Sequence, residues 1–195
     1  MMQTIDKYIT IRPYSKSIEE WMEDMVIPEG ERGQIAGADV VVLPAGYRDC
    51  EQAFATSVYD FLAYARERGL FNIEVCSPED GFSEIELCSV KKRLGKFFLA
   101  STITGTIFWG VVSDYIYEQV KPILPQFTPI ENIETPQYLE APEVSFSIVI
   151  PDSLGNKQEI TYDGPVEGID KVGEIIKTLT NSNGSESNTG DSKER

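Results

Sequence analysis

Apolar and polar side chains alternate over residues 8–12 (YITIR), the period of a β-strand, and Pro13 removes the donor that would continue it. Ser17 and Glu20 then stand at capping-box spacing, and Ile18, Trp21, Met22 and Met25 share one face of the helix they predict. Residues 28–37 (PEGERGQIAG), dense in glycine and charge, predict a loop. Residues 39–43 (DVVVL) carry β-branched side chains without polar interruption, as in a strand covered on both faces, and are expected to form the central strand. Asp49, with Gln52 three residues on, is expected to cap a helix in which Phe54, Val58, Phe61, Leu62 and Ala65 fall on one face, ended by Gly69. Residues 70–76 (LFNIEVC) predict a second strand, so 39–76 has the pattern of a right-handed βαβ unit with parallel strands.

Farther on, residues 84–88 (EIELC) alternate as a short edge strand with Glu84 and Glu86 toward water. Helix is expected to resume near Val90 and run, with or without a break, to Val120. Five prolines between 121 and 142 predict an extended linker or surface strap. Residues 144–150 (VSFSIVI) and 158–162 (QEITY) flank a glycine- and asparagine-containing turn and predict a β-hairpin. A helix over 166–179 places Val166, Ile169, Val172, Ile175, Ile176 and Leu179 on one side, and the tail beyond Thr180 has no apolar residue, the composition of a disordered segment. The fold class is α/β: a small mixed sheet with a βαβ unit, a central apolar helical segment, and a C-terminal hairpin plus helix. The expected division is an N-terminal module 1–90, a basic-then-apolar segment 91–121, a linker 122–142, a second module 143–180 and a tail 181–195.

The longest stretch without charge is residues 97–113 (FFLASTITGTIFWGVVS), and Lys91, Lys92, Arg93 and Lys96 stand directly before it. As a helix the run spans about 26 Å against a hydrocarbon layer of roughly 30 Å. Small residues four apart, Ser101 with Gly105 and Thr106 with Gly110, suit close helix approach, and Trp109, Tyr115 and Tyr117 resemble an interfacial belt. Three readings stay open: a membrane segment, buried core, and an oligomer-interface helix. Core is favoured, because a span would put the 143–180 module on the opposite side with no export signal.

Composition narrows the chemistry. The 195 residues include 32 acidic and 17 basic side chains, a net charge of −15, which disfavours direct nucleic-acid binding and favours a basic partner. Histidine is absent, removing imidazole nucleophile pairs, acid–base catalysis and metal sites. Cys50, Cys76 and Cys88 match no paired zinc-ligand spacing and fit reduced structural thiols of a cytosolic protein. Cys50 beside Arg48 at the expected helix start raises a reactive thiolate, against which a structural cysteine is the simpler reading. Glu79, Asp80, Glu84 and Glu86 form no ordered cation-loop pattern and suit a solvated turn. The first twenty residues lack the apolar core of a signal peptide, so export by that route is not expected.

Residues 38–69, with Asp39, an apolar strand, Leu43-Pro44-x-Gly46 and a polar turn toward a helix, resemble the strand and loop of nucleoside deoxyribosyltransferase-like and related nucleotide-binding proteins. The resemblance implies phosphate or sugar contacts at Pro44, Gly46, Arg48 and Asp49. The chain departs from that pattern: Arg48, Asp49 and Cys50 replace the glycine-threonine or serine-glycine part of the loop, and Thr56 stands where the family's helix brings a glutamate.

These observations converge on a non-enzymatic interaction or regulatory module, in the cytosol or at the inner face of a membrane. Its docking element is the segment 91–120, with Lys91, Lys92, Arg93, Lys96, Gly105, Trp109 and Gly110 as candidate contacts. A protein partner is expected, membrane contact through 97–113 and self-association stay open, and no cofactor or metal is implied. The alternatives are a nucleotide- or nucleoside-binding enzyme or sensor using loop 44–50, and an acidic decoy that binds a basic protein or mimics nucleic acid.

Overall fold

A computed structural model of the chain describes residues 3–47, 50–55, 57–77, 83–85, 91–120, 142–152 and 154–181. In chain order its elements are β1 (Gln3–Asp6), β2 (Ile9–Pro13), α1 (Ile18–Asp24), α2 (Glu29–Ala36), β3 (Val40–Leu43), β4 (Ala45–Tyr47), β5 (Cys50–Ala55), α3 (Ser57–Arg68), β6 (Ile73–Val75), β7 (Ser83–Ile85), β8 (Lys92–Leu99), α4 (Thr102–Val120), β9 (Glu143–Pro151), β10 (Lys157–Pro165) and, after a 3-10 turn at Val166–Gly168, α5 (Asp170–Asn181). A seven-stranded mixed sheet has the order β1-β2-β10-β9-β8-β3-β6, and β4-β5-β7 form a second, smaller sheet.

The uninterrupted β-branched run does what its composition requires. Val40 and Val42 point into the larger core with α3, α4 and α5, while Val41 and Leu43 point the other way into a smaller core with Met22, Met25 and Ile35 of the α1–α2 corner. Its position is not central, since β3 lies between β8 and the edge strand β6. Val40 pairs with Ile73 and Val42 with Val75 in parallel register, as the βαβ pattern predicted. The Ser17–Glu20 capping box forms in both directions at the start of α1.

Three expectations about these elements are corrected. Residues 28–37 are not a loop: α2 runs from Glu29 to Ala36, with Glu29 and Glu31 favourably placed in its first turn and Ile35 buried. The helix expected from Asp49 begins only at Ser57. Before it, Cys50–Ala55 pairs with β4 on one side and β7 on the other, and Ala53, Phe54 and Ala55 are buried there as strand residues. Residues 92–99, expected to be helical, are not. Lys92–Leu99 is a strand paired with β3 and β9, and α4 starts only at Thr102. Gly95 allows that strand its bulge, at φ +86 with Val58 Cγ2 only 3.1 Å from where a Cβ would sit. Of the three readings left open for 97–113, a spanning helix is not found: no helix among the described residues is long and apolar enough to cross a membrane.

The C-terminal hairpin forms, with Ile160 opposite Ile148 and Tyr162 opposite Phe146. It enters the large sheet between β2 and β8 instead of standing apart as a module, so 143–180 and the N-terminal strands share one core. Of the expected strand 84–88 the described part is Glu84 and Ile85, which with Ser83 form β7, parallel to β5. Cys88, the acidic turn at Glu79 and Asp80, Glu86, the 121–141 part of the linker and the tail from 182 lie outside the described residues.

Candidate functional site

The uncharged run divides between two jobs. Phe97 and Leu99 fill the larger core from β8 and Phe98 the smaller one. The rest builds α4, where Ser101 Oγ accepts the Thr104 amide at 3.2 Å and so caps the first turn. Gly105 faces Ile150 of β9 and Ile176 of α5, Tyr115 packs on Phe61 and Tyr64 of α3, and Phe108, Val111, Val112 and Ile116 are buried in the larger core. Phe108 sits in an aromatic cluster, 5.0 Å from the Phe97 ring and 5.9 Å from Phe61 between centroids.

The opposite face of α4 looks away from the protein. Ile103 is 75% exposed and Ile107 42%, and they lie one turn apart. Gly110 continues the stripe with nothing within 4 Å of the position a Cβ would take. Asp114 and Glu118 complete it toward the C-terminus, held by Arg68 at the end of α3 at 3.6 and 3.1 Å. Beside them the Tyr117 hydroxyl donates to Asp170 of α5 at 3.1 Å. Along this stripe α4 is apolar in its first half, with the exposed Thr106 beside the two isoleucines, and acidic in its second.

The remaining docking candidates are placed elsewhere. Trp109 turns inward, its indole against Gly173 of α5 and its ring 6.0 Å from Phe146. Gly105 is buried against Ile150 of β9. The basic cluster is dispersed over Lys91 and β8 and is engaged within the fold at two of its lysines: Lys91 pairs with Glu143 and Asp163, and Lys96 reaches Glu159 at 3.0 Å. Arg93 is half-buried, its carbonyl accepting from the Ser57 hydroxyl, and Lys92 is exposed. Strand geometry separates side chains that are adjacent in sequence, and carboxylates from β9 and β10 meet Lys91 and Lys96.

Glu159 was not legible as a special residue. Strand alternation in 158–162 puts it opposite Ile160 and Tyr162, on the face expected to meet water. It is only 1% exposed, accepting from Arg12 Nε of β2 at 2.6 Å while pairing with Lys96 of β8, so one carboxylate ties β10 to strands on both sides. Burial pulls its carboxyl upward, but the Arg12 hydrogen bond and the Lys96 charge more than offset that, and it titrates below the ordinary value of 4.5. Both its oxygens are occupied, and the arrangement reads as structural.

Loop 44–50 does not lead into a helix. Pro44 leaves β3, Gly46 lies in β4 and Cys50 starts β5, while Arg48 and Asp49 fall outside the described residues. The helix N-terminus that would favour an anion there is instead at Ser57. Cys76 is buried, which pushes its thiol up to about 11 and makes it a poor nucleophile. No cluster of potential metal ligands occurs among the described residues. No family model matches the chain, and no curated protein or solved structure matches it.

Proposed function

We propose that the protein is a non-enzymatic interaction module that docks a protein partner on the outer face of α4. The observation that carries this reading is the pair Ile103 and Ile107, two β-branched apolar side chains displayed one turn apart on a helix whose inner face is already fully used in the core. Fully burying an exposed isoleucine is worth about 1.5–3 kcal/mol; Ile103, 75% exposed, offers most of that and Ile107, 42% exposed, less than half. Gly110, open to solvent in line with them, lets a partner's backbone come close.

A photocrosslinking amino acid in place of Ile103, in cells that naturally make the protein, should give a discrete adduct that Ile107→Asp abolishes. The same group in place of Gln34, on the exposed side of α2, should give none. Equal adducts at both positions, or none at 103, overturn the reading.

A further inference from the structure

Resting on that reading, we infer that the partner presents an α-helix with apolar side chains at one end of its contacting face and basic side chains at the other. The stripe Ile103, Ile107, Gly110, Asp114, Glu118 advances by four, three, four and four residues, which keeps all five on one side of the helix. It covers about 22 Å at 1.5 Å per residue, the length of four turns. A partner helix lying along it meets two isoleucines, then an open glycine where the two backbones can approach, then two exposed carboxylates.

Arg68 does not cancel the acidic end. One guanidinium faces both carboxylates, and Asp170 adds another at the neighbouring Tyr117. Across the whole chain acidic residues number 32 against 17 basic, so the long-range field also favours a cationic arrival. A second copy is a poor occupant. Two α4 helices laid antiparallel set the isoleucines of one against the carboxylates of the other, and laid parallel they set carboxylate against carboxylate, in both cases between chains of charge −15.

The probe is a labelled, helix-stabilised peptide of about four turns with leucines on the first half of one face and arginines on the second, titrated against the full chain by fluorescence anisotropy. A control peptide of identical composition interleaves the two residue types along the face. The segregated peptide should bind at least tenfold more tightly than the control. Ile107→Ser should weaken it about tenfold with little dependence on salt, and Asp114→Asn with Glu118→Gln about tenfold at low salt only. Asp114→Lys with Glu118→Lys should transfer the preference to a peptide carrying glutamates in place of the arginines, a gain that misfolding could not produce. Equal binding of segregated and interleaved peptides, or no effect of neutralising the carboxylates, overturns the proposal. So does a sedimenting dimer that Ile107→Ser dissolves, or Ile107-dependent binding to phosphatidylglycerol vesicles. If position 103 still crosslinks in cells while neither peptide binds, the docking reading stands and this partner chemistry falls.

Discussion

Gly105 of α4 lies so close to Ile150 of β9 that a Cβ on the glycine would fall 2.3 Å from the isoleucine Cδ1. The small residue that hinted at tight helix packing in lipid is used for tight packing of a helix on a sheet. Both demands are the same, a backbone brought nearer than any side chain allows.

Gly105→Ala should therefore destabilise the protein by about 1 kcal/mol, the difference between about 1–3 lost to overpacking and about 1 gained in helix propensity. Ile150→Val removes the offending methyl and alone costs about 0.5–1.5 kcal/mol. Combined, the two should cost less than their sum by about 1 kcal/mol. Urea unfolding of the four proteins measures this, and strict additivity would show that the contact carries no strain.

Glu159→Gln should cost about 3–5 kcal/mol, because it leaves the half-buried Lys96 without its counter-ion. Arg12→Met, which leaves one buried carboxylate oxygen without its partner but keeps Lys96, should cost less, about 1–3 kcal/mol. The folded-state carboxyl titrates below its ordinary value, so its contribution is complete above pH 4.5 and is lost as pH falls through the lower folded value. Stability measured against pH should show an acid limb below 4.5 that is shallower in Glu159→Gln. An unchanged acid limb would place the protonation responsible elsewhere.

Val26 occupies the left-handed region at φ 55 while 78% exposed, closing α1 where glycine is the usual residue. Its amide donates to the Glu23 carbonyl and that of Ile27 to the Met22 carbonyl, the two bonds of a Schellman ending. A β-branched residue there costs about 1–2 kcal/mol, part of which glycine returns as unfolded-chain entropy. Val26→Gly should raise stability by about 0.5–1 kcal/mol, read as a higher melting temperature. A lower one would mean that the exposed side chain makes a contact worth more than the strain.

Local features with a single physical solution were readable before any coordinates. The Ser17–Glu20 box satisfies helix-end amides wherever it occurs, and the DSLGNK turn between two alternating runs has few alternatives to a hairpin. The face proposed for docking was half visible: residues 91–120 contain α4, and Gly110 is on its displayed stripe. Ile103 and Ile107 were passed over because a run apolar on all sides has no periodicity to say which side chains will be left outside. For the same reason its division into Phe97, Phe98 and Leu99 on a strand and Phe108, Val111 and Val112 on a helix was hidden. Both periods bury such residues equally well, and the choice belonged to β3 and β9, which needed a partner between them.

The order of amino acids was sufficient for the α/β class, for the exclusion of imidazole chemistry and for the excess of negative charge, since none of these depends on what lies across a sheet. Which charges neutralise each other depended entirely on folding. Lys96 and Glu159 are 63 residues apart along the chain, and Arg12 is farther still from that carboxylate; register in a seven-stranded sheet brought the three together. It thereby engaged Lys91 and Lys96 within the sheet while Lys92 stays exposed, and the outer stripe of α4 keeps Ile103 and Ile107 outside, because a helix lying on a sheet can bury only one of its sides.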